Sequence, residues 1–230
     1  MSTVQEIRDA IERLTRDERQ SLSDWLLGWD EDAHQVQEAA AAYNVAPKLL
    51  SVEEYLEFEM ASDVRHEYVY GVLYAMSGVS RQHHDIVGNL FFAFRSHLHG
   101  GPCRPYITDF KVRLEINNAD ILYYPDVMVA CGSDGVDHDY FLSNPKLIVE
   151  VLSPSTEKID RREKRLNYPQ IRTLEEYVLV SQRKFEITSY RRTDQWAPQV
   201  ITGLESAMDF RSIHLSVPLA QIYEDVEIHA

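Results

Sequence analysis

Two carboxylates stand inside apolar runs of this sequence. Asp126 follows a proline in YYPDVMVA, residues 123–130, and Glu150 lies within KLIVEVLS, residues 146–153. Both runs have the composition of buried strands. An ionised carboxylate is costly to bury unless a cation, a proton or hydrogen-bond donors compensate it. Asp126 and Glu150 are therefore the first candidates for a functional site.

Antiparallel pairing of these two runs predicts that the carboxylates face each other. If residues 124–130 and 146–152 pair symmetrically about the intervening loop, opposed residue numbers sum to 276, as 126 and 150 do. Opposed Cβ atoms in such a pair lie roughly 4.5–5.5 Å apart. Like charges at that distance raise a pKa unless a cation compensates them, and Mg²⁺, or Mn²⁺ in its place, prefers such oxygen ligands. The pair predicts a divalent metal site.

The alternative is that both carboxylates cap strand ends and face solvent. Two features count against this alternative. Glu150 lies inside LIVEVL and not at its end. Pro125 directly precedes Asp126 and restricts the chain to an extended entry, which would aim the carboxylate reproducibly.

A charged helix is predicted after Glu150, over EKIDRREKRLNY. Asp160, Lys164 and Tyr168 are spaced by four and share one face of this helix. An ammonium at position 164 could orient a water or neutralise a phosphate oxygen above the carboxylates. Taken alone, the spacing favours an ordinary surface ion pair between Asp160 and Lys164, which would contribute only about 0.3–0.5 kcal/mol.

Charge and composition restrict the classes of partner. The 230 residues carry a net charge of -14, which disfavours non-specific attraction to nucleic acid, so a DNA contact must be local, as in KIDRREKR at residues 158–165. The sequence has no apolar run of the roughly 20 residues that span a bilayer, and its acidic N-terminus lacks a signal peptide's apolar core. Cys103 and Cys131 form no CxxC pair and are interpreted as reduced packing residues. These features predict a cytoplasmic protein.

The remaining patterns predict an α/β protein of two parts. Residues 1–43 contain ten acidic and four basic residues and show helical spacing in two bursts, which predicts an N-terminal helical hairpin. Residues 44–230 form the main domain. There, Ser51 and Glu54 make a capping box, and aromatic and β-branched residues around Gly71 predict a hairpin. A long helix over QHHDIVGNLFFAFRSHL, strand-like runs such as YITDFKVRLEI, the charged helix and a further strand complete the α/β order.

The segments YPDVMVA, PKLIVEVLSPSTEKIDRREKRLNY and EYVLV together resemble the Uma-type restriction endonuclease family, a bacterial branch of the PD-(D/E)XK nuclease superfamily. The likeness extends from about residue 52 to residue 223. It implies a restriction-endonuclease-like core, a mixed sheet flanked by helices, and metal-dependent hydrolysis of DNA. It also implies that Asp126 and Glu150 bind the metal. The superfamily's lysine, two residues after the glutamate, would fall at Leu152, so Lys164 or Lys111 is expected to replace it.

The resemblance extends to further side chains. Glu67 in RHEYVYG matches another acidic position of the family and would complete the metal site, although a solvent-facing hairpin residue would look the same. Because adjacent helical residues face different sides, at most one of His83 and His84 is expected to contact substrate, and we assign this role to His84. The other expected substrate contacts are Lys111, Arg161, Arg162, Arg165 and Tyr168.

Two functions remain open from the sequence. The first is a Mg²⁺-dependent endonuclease whose catalytic residues are Asp126, Glu150 and Lys164. The second is a non-catalytic member of the same fold, a binding or regulatory protein linked to a toxin–antitoxin or defence system. Leu152 at the motif position and the net charge of -14 favour the second function. The acidic N-terminal segment favours contacts with a partner protein or within a homodimer over contacts with DNA.

Overall fold

The computed structural model describes residues 49–132, 138–154 and 156–228. The predicted N-terminal hairpin, residues 1–43, lies outside these ranges and stays a prediction. Within them, no helix combines the length and the apolar character that crossing a bilayer requires.

The described residues form helices and strands in the following order. They are α1 (Val52–Ala61), β1 (His66–Val69), β2 (Val72–Ala75), α2 (Arg81–Leu98), β3 (Cys103–Ile107), β4 (Lys111–Ile116), β5 (Ala119–Tyr123), β6 (Val127–Cys131), β7 (Phe141–Leu142), β8 (Leu147–Leu152), α3 (Glu157–Ile159), a π-helical segment (Asp160–Lys164), α4 (Arg165–Asn167), a 3-10 turn (Tyr168–Gln170), β9 (Glu176–Ser181), β10 (Glu186–Arg191), a 3-10 turn (Arg192–Asp194), β11 (Pro198–Thr202), β12 (Ala207–Phe210), a 3-10 turn (Arg211–Ile213), β13 (Leu215–Pro218) and α5 (Leu219–Ile222). The consecutive pieces from Glu157 to Gln170 are called the basic helix below.

Local signals explain several of these elements. The Ser51 hydroxyl accepts a hydrogen bond from the Glu54 amide, and the Glu54 carboxylate accepts one from the Ser51 amide, so the predicted capping box begins α1. The turn between β1 and β2 has positive φ angles at Tyr70 (53°) and Gly71 (90°), a conformation that glycine adopts at little cost. The predicted hairpin and the predicted long helix α2 are likewise confirmed.

Two larger sheets contain most of the strands. The six-stranded sheet has the order β11-β10-β9-β8-β6-β3, and the five-stranded sheet has the order β2-β1-β5-β4-β7. In the six-stranded sheet β6 and β8 are antiparallel, whereas β8 and β9 are parallel and are connected through the basic helix. This sheet is therefore mixed, as the α/β prediction requires.

The run YITDFKVRLEI does not form a single strand. It divides into β3 and β4, which belong to different sheets, with Thr108 at a φ of 38° between them. The strand-like composition continues across both pieces, and the break is created by sheet packing that the local sequence does not show. Within this run the chain therefore passes from the six-stranded sheet to the five-stranded sheet.

The six-stranded sheet is covered on both faces. One face packs against α2, whose buried apolar residues are Ile86, Val87, Leu90, Ala93 and Phe94. The other face packs with the five-stranded sheet and with Tyr168 of the basic helix. Every residue of β8 is buried, which explains its continuous apolar composition and makes Glu150 exceptional.

The two cysteines form a disulfide and are not reduced packing residues, so that prediction was wrong. Cys103 and Cys131 are directly opposed in the pairing of β3 with β6. The register of a sheet brings them together across 28 positions, and this register cannot be read from cysteine spacing. Cysteine usage therefore no longer supports the predicted cytoplasmic location.

Candidate active site

The carboxylates of Asp126 and Glu150 are neighbours across the six-stranded sheet. The pairing of β6 with β8 places Val127 opposite Val149 and Met128 opposite Ile148, so the predicted register is confirmed. Asp126 Oδ2 accepts a hydrogen bond of 2.7 Å from the Val151 amide. Glu150 Oε2 accepts one of 3.4 Å from the Asp126 amide. The backbone at the start of β6 thus fixes both carboxylates.

Lys164 lies among carboxylates and does not form a surface pair. Its Nζ is 3.0 Å from Glu67 Oε1, 3.1 Å from Glu150 Oε1 and 3.2 Å from Asp160 Oδ1, and its side chain is only 4% exposed. The predicted face of the basic helix is therefore confirmed as the face that meets Glu150. We call Glu67, Asp126, Glu150, Asp160 and Lys164 the acidic cluster.

Tyr168 completes the contacts of Glu150. Its hydroxyl donates a 2.7 Å hydrogen bond to Glu150 Oε1, and the residue is fully buried. Tyr168 therefore holds Glu150 in this structure, and its predicted contact with substrate stays a prediction. The Tyr177 hydroxyl, which donates to the Asp160 backbone carbonyl at 3.1 Å, anchors the π-helical segment against β9.

Burial and like charges shift the pKa values of the acidic cluster. Burial raises the pKa of Glu150 well above its ordinary value; Lys164 opposes this shift, and Asp160 and Asp126 add to it. Burial also raises the pKa of Glu67, and Lys164 again opposes the shift. Burial alone would lower the pKa of Lys164, but the charges of Glu150 and Glu67 outweigh it and leave that pKa well above normal. The lysine therefore stays protonated, while the carboxylates are under-compensated.

His83 contacts the acidic cluster, which the sequence analysis did not predict, and the substrate contact assigned to His84 stays a prediction. The His83 Nε2 atom lies 2.9 Å from Asp126 Oδ1, whereas His84 is exposed on α2. The Nδ1 atom of His83 is buried with no hydrogen-bond partner among the described residues. Because a buried N–H without an acceptor costs about 1–3 kcal/mol, the tautomer that carries its proton on Nε2 and donates to Asp126 is favoured.

The periodicity of α2 could have identified His83. Val87 and Leu90, four and seven residues further along, are both buried on the face that packs against the six-stranded sheet. His83 belongs to this face by the same spacing. Ser80 caps the helix by accepting a hydrogen bond of 3.1 Å from the His83 amide, which places the first turn of α2 beside Asp126.

A cavity of about 340 Å³ opens onto Asp126. His83 and Tyr124 lie beside Asp126 in its lining, and apolar side chains form much of the remaining wall. These are Val64, Met76, Val79 and Val87, with Asp63, Arg65, Asp109 and His84 as the other ionisable lining residues. Asp126 is thus the one member of the acidic cluster that lines this cavity.

The other predicted substrate contacts are scattered. Lys111 is buried near the rings of Tyr55, Tyr124 and Tyr140, with its Nζ 4.9 Å from the Tyr124 ring centre. Burial lowers the pKa of Lys111. It makes none of the acidic cluster's ion pairs, so the structure places Lys164 and not Lys111 at the candidate site.

The arginines of the basic helix lie outside the acidic cluster. Arg161 Nε binds Glu157 Oε1 at 2.8 Å, the Arg165 guanidinium stacks 5.4 Å from the Tyr190 ring centre, and Arg162 is exposed. Their predicted contact with DNA stays a prediction.

The residues fit a metal held by two carboxylates better than one held by three. Among the described residues, no three histidine, cysteine or carboxylate side chains converge as a ready-made metal site. Glu67 points to Lys164, so its predicted role as a ligand stays a prediction. Asp126 and Glu150 are adjacent, oxygen-bearing and under-compensated, and Mg²⁺ commonly binds one or two carboxylates while it keeps several waters.

Comparison with known proteins identifies the family of the chain. The family model Uma2, described as "Putative restriction endonuclease", matches residues 52–220. An uncharacterised Synechocystis protein, slr1290, is 38% identical over 178 residues, which cover 77% of this chain and 92% of the relative. A second uncharacterised Synechocystis protein, sll1609, is 28% identical over 167 residues, or 71% of this chain and 93% of the relative.

A solved structure shares the fold. It is the crystal structure of a "putative nuclease belonging to DUF820" from Anabaena variabilis, with a TM-score of 0.64 and 15% identity over 77% of this chain and 99% of that one. The mixed sheets flanked by helices match its restriction-endonuclease-like architecture, which confirms the predicted fold class. The chain belongs to the Uma2 family.

Proposed function

We propose that the protein is a Mg²⁺-dependent endonuclease that hydrolyses DNA phosphodiester bonds at Asp126 and Glu150. The excess of negative charge around one lysine supports this function. Three carboxylates contact Lys164, the Asp126 amide donates a hydrogen bond to Glu150, and the Asp126 side chain lines a cavity. A divalent cation would compensate the burial and, after it, the charges of Asp160 and Asp126, which together raise the pKa of Glu150.

Three residues of the acidic cluster have a definite task in this proposal. Asp126 and Glu150 would hold the ion, which supplies a bound water of lowered pKa and stabilises charge on the phosphate. His83 and the Val151 amide orient Asp126, while Tyr168 orients Glu150. Lys164 remains protonated, so it donates hydrogen bonds to a water or a phosphate oxygen and does not act as a base.

A non-catalytic role in binding is the second candidate function. The engagement of Lys164 by three carboxylates favours it, because an ammonium held in this way must exchange a partner before it contacts a phosphate. Leu152 at the position of the superfamily's lysine favours it as well. The comparison with relatives leaves both functions open.

Cleavage assays distinguish the two functions. Purified protein is incubated with plasmid, linear duplex and single-stranded DNA in Mg²⁺, in Mn²⁺ and with chelator. We expect metal-dependent cleavage that Asp126→Asn and Glu150→Gln each reduce by about 10³-fold or more, since several kcal/mol of charge stabilisation depend on the ion. The control Glu115→Gln changes an exposed carboxylate on β4 and should cleave like wild type.

Two results would contradict the endonuclease. Equal cleavage by wild type and both site variants would assign the activity to a contaminant. Absence of cleavage on every DNA with either ion would favour the non-catalytic role.

A further inference from the structure

The cavity at Asp126 has an apolar and exposed wall. Val64, Met76 and Val79 line it although each side chain is at least a third exposed. Met76 and Val79 belong to the segment that connects β2 with α2, and Val64 lies between α1 and β1. The ring of Tyr124 and the imidazole of His83 lie at the same cavity. Apolar and aromatic surfaces of this kind bind flat, uncharged rings better than phosphates.

The charges of the cavity also disfavour a phosphate backbone. Its acidic lining residues are Asp63, Asp109 and Asp126, and its one arginine, Arg65, is bound to Asp109 at 3.0 Å. The arginines of the basic helix do not line the cavity. A polyanion therefore gains little by entering, except for the one phosphate that a cation at Asp126 would bind.

The size of the cavity suits one nucleotide. Pockets for small ligands usually have volumes of about 300–1,000 Å³, and this cavity has about 340 Å³. In a paired duplex the bases are stacked inside the helix, so none can enter a cavity on a protein surface unless it leaves the stack. Entry costs least for a base that is already unpaired.

We propose that this cavity binds the base of one unpaired nucleotide beside the scissile phosphate, so that the substrate is DNA with unpaired nucleotides and not matched duplex. The proposal rests on the proposed function and specifies its substrate class. Val64, Met76 and Val79 contact the base, and Asp126 lies at the adjoining phosphate. The net charge of -14 is consistent with it, since a long duplex would meet repulsion over most of the surface.

The test compares DNAs of one sequence in three forms: matched duplex, duplex with three central unpaired nucleotides, and single strand. We expect kcat/KM in Mg²⁺ to be about tenfold or more higher for the two unpaired forms, because the duplex must first unstack a base. A second readout needs no cleavage. In Ca²⁺, the fluorescence of 2-aminopurine placed in the single strand should change as its base enters the cavity.

Matched variants test whether the preference for unpaired DNA and the fluorescence change arise at the cavity. Val79→Asp and Val200→Asp place the same charge at side chains of nearly equal exposure, 59% and 57%, and Val200 lies on β11, away from the cavity. Val79→Asp should abolish the preference for unpaired DNA and the fluorescence change, whereas Val200→Asp should keep both. Val79→Asn removes the apolar contact without adding charge and should show a smaller loss of both signals.

The outcomes separate this inference from the proposed function. Equal cleavage of duplex and unpaired DNA would retain the endonuclease and overturn the cavity's role. Absence of cleavage on all three forms would overturn the endonuclease. In that event, a fluorescence change that Val79→Asp abolishes would still support binding of an unpaired base, and no change in wild type would overturn it.

Discussion

Two buried ion clusters include residues of the six-stranded sheet, and they differ in the balance of positive and negative charge. In the acidic cluster, Lys164 is shared by Glu67, Glu150 and Asp160. The second cluster pairs Arg191 on β10 with Glu176 on β9 at 2.7 Å, with side chains 4% and 1% exposed. Lys164, Glu150 and Asp160 are as buried as Arg191 and Glu176, so burial of the central residues does not distinguish the two clusters.

The pair of Arg191 and Glu176 is complete. Glu176 Oε2 accepts hydrogen bonds from the Ser212 amide and hydroxyl at 3.2 and 2.9 Å. Arg191 donates to the Asp209 carbonyl at 2.8 Å and to Gln199. One buried cation faces one buried carboxylate here, and surrounding groups bind the remaining atoms. Excess charge of one sign therefore indicates a candidate site, whereas a buried pair of one cation and one carboxylate stabilises the fold.

The largest expected effect is on the stability of the protein and comes from a change in the pair of Arg191 and Glu176. Glu176→Gln leaves Arg191 charged and buried without its carboxylate, so the free energy of unfolding should fall by about 3–5 kcal/mol. Cleavage per folded molecule should not change. Urea unfolding measures the loss, with Asp194→Asn as control because that carboxylate is partly exposed and 3.9 Å from Arg191. A loss below about 1 kcal/mol would remove the contrast between the clusters.

Next in size is the loss of rate at the two buried lysines. Lys164→Ala removes the ammonium that contacts Glu67 and Glu150, and we expect single-turnover cleavage in saturating Mg²⁺ to slow by about 10²–10³-fold. Lys111→Ala removes a lysine surrounded by tyrosine rings and should slow cleavage far less. The reverse ranking would move the role of the missing motif lysine to Lys111.

A smaller effect is expected from metal on stability. A divalent ion at 100 times its dissociation constant stabilises the folded state by roughly 2.7 kcal/mol if it binds only that state. Thermal melts of wild type should therefore shift upward with Mg²⁺ or Mn²⁺. Asp126→Asn should melt slightly higher without metal and lose most of the shift, while Lys164→Ala should retain it. If neither ion changes the melting temperature of wild type, and a short DNA does not alter that result, the proposed metal site is contradicted.

The smallest expected effect concerns pH. Because the pKa of Glu150 is raised above its ordinary value of 4.5 in the folded protein, the folded state keeps a proton that the unfolded chain releases. The free energy of unfolding of the metal-free wild type should therefore fall, relative to Glu150→Gln, as pH rises above about 4.5. Urea unfolding of both proteins across this interval measures the difference. A constant difference would mean that Glu150 is fully compensated.

Local patterns predicted the part of the site that neighbouring strands and one helix determine. The sum of residue numbers placed Asp126 opposite Glu150, and spacing by four placed Lys164 on the correct face. These two predictions succeeded because the β6–β8 pairing and the helical repeat are short-range regularities. The capping box at Ser51 succeeded for the same reason.

Contacts between distant segments were not predictable in this way. The hydrogen bond of His83 to Asp126 depends on how α2 lies across the six-stranded sheet. The disulfide of Cys103 with Cys131 depends on the register of β3. The pair of Arg191 and Glu176 depends on the β9–β10 register, and its residues carry no local sign that they are buried. Each of these required the assembled fold.

The π-helical segment has a consequence for how related sequences are aligned. It spans Asp160–Lys164, within the 14 positions that separate Glu150 from Lys164 and the 18 that separate Glu150 from Tyr168. A π-helix forms its hydrogen bonds from residue i to residue i+5, so each of its turns holds one residue more than an α-helical turn. A relative with one residue fewer in this segment can form an α-helical turn in its place and keep the orientation of the helix that follows. Such a relative would still bring its equivalent of Tyr168 to the buried glutamate, so the spacing between these two residues can differ by one between sequences that assemble the same centre.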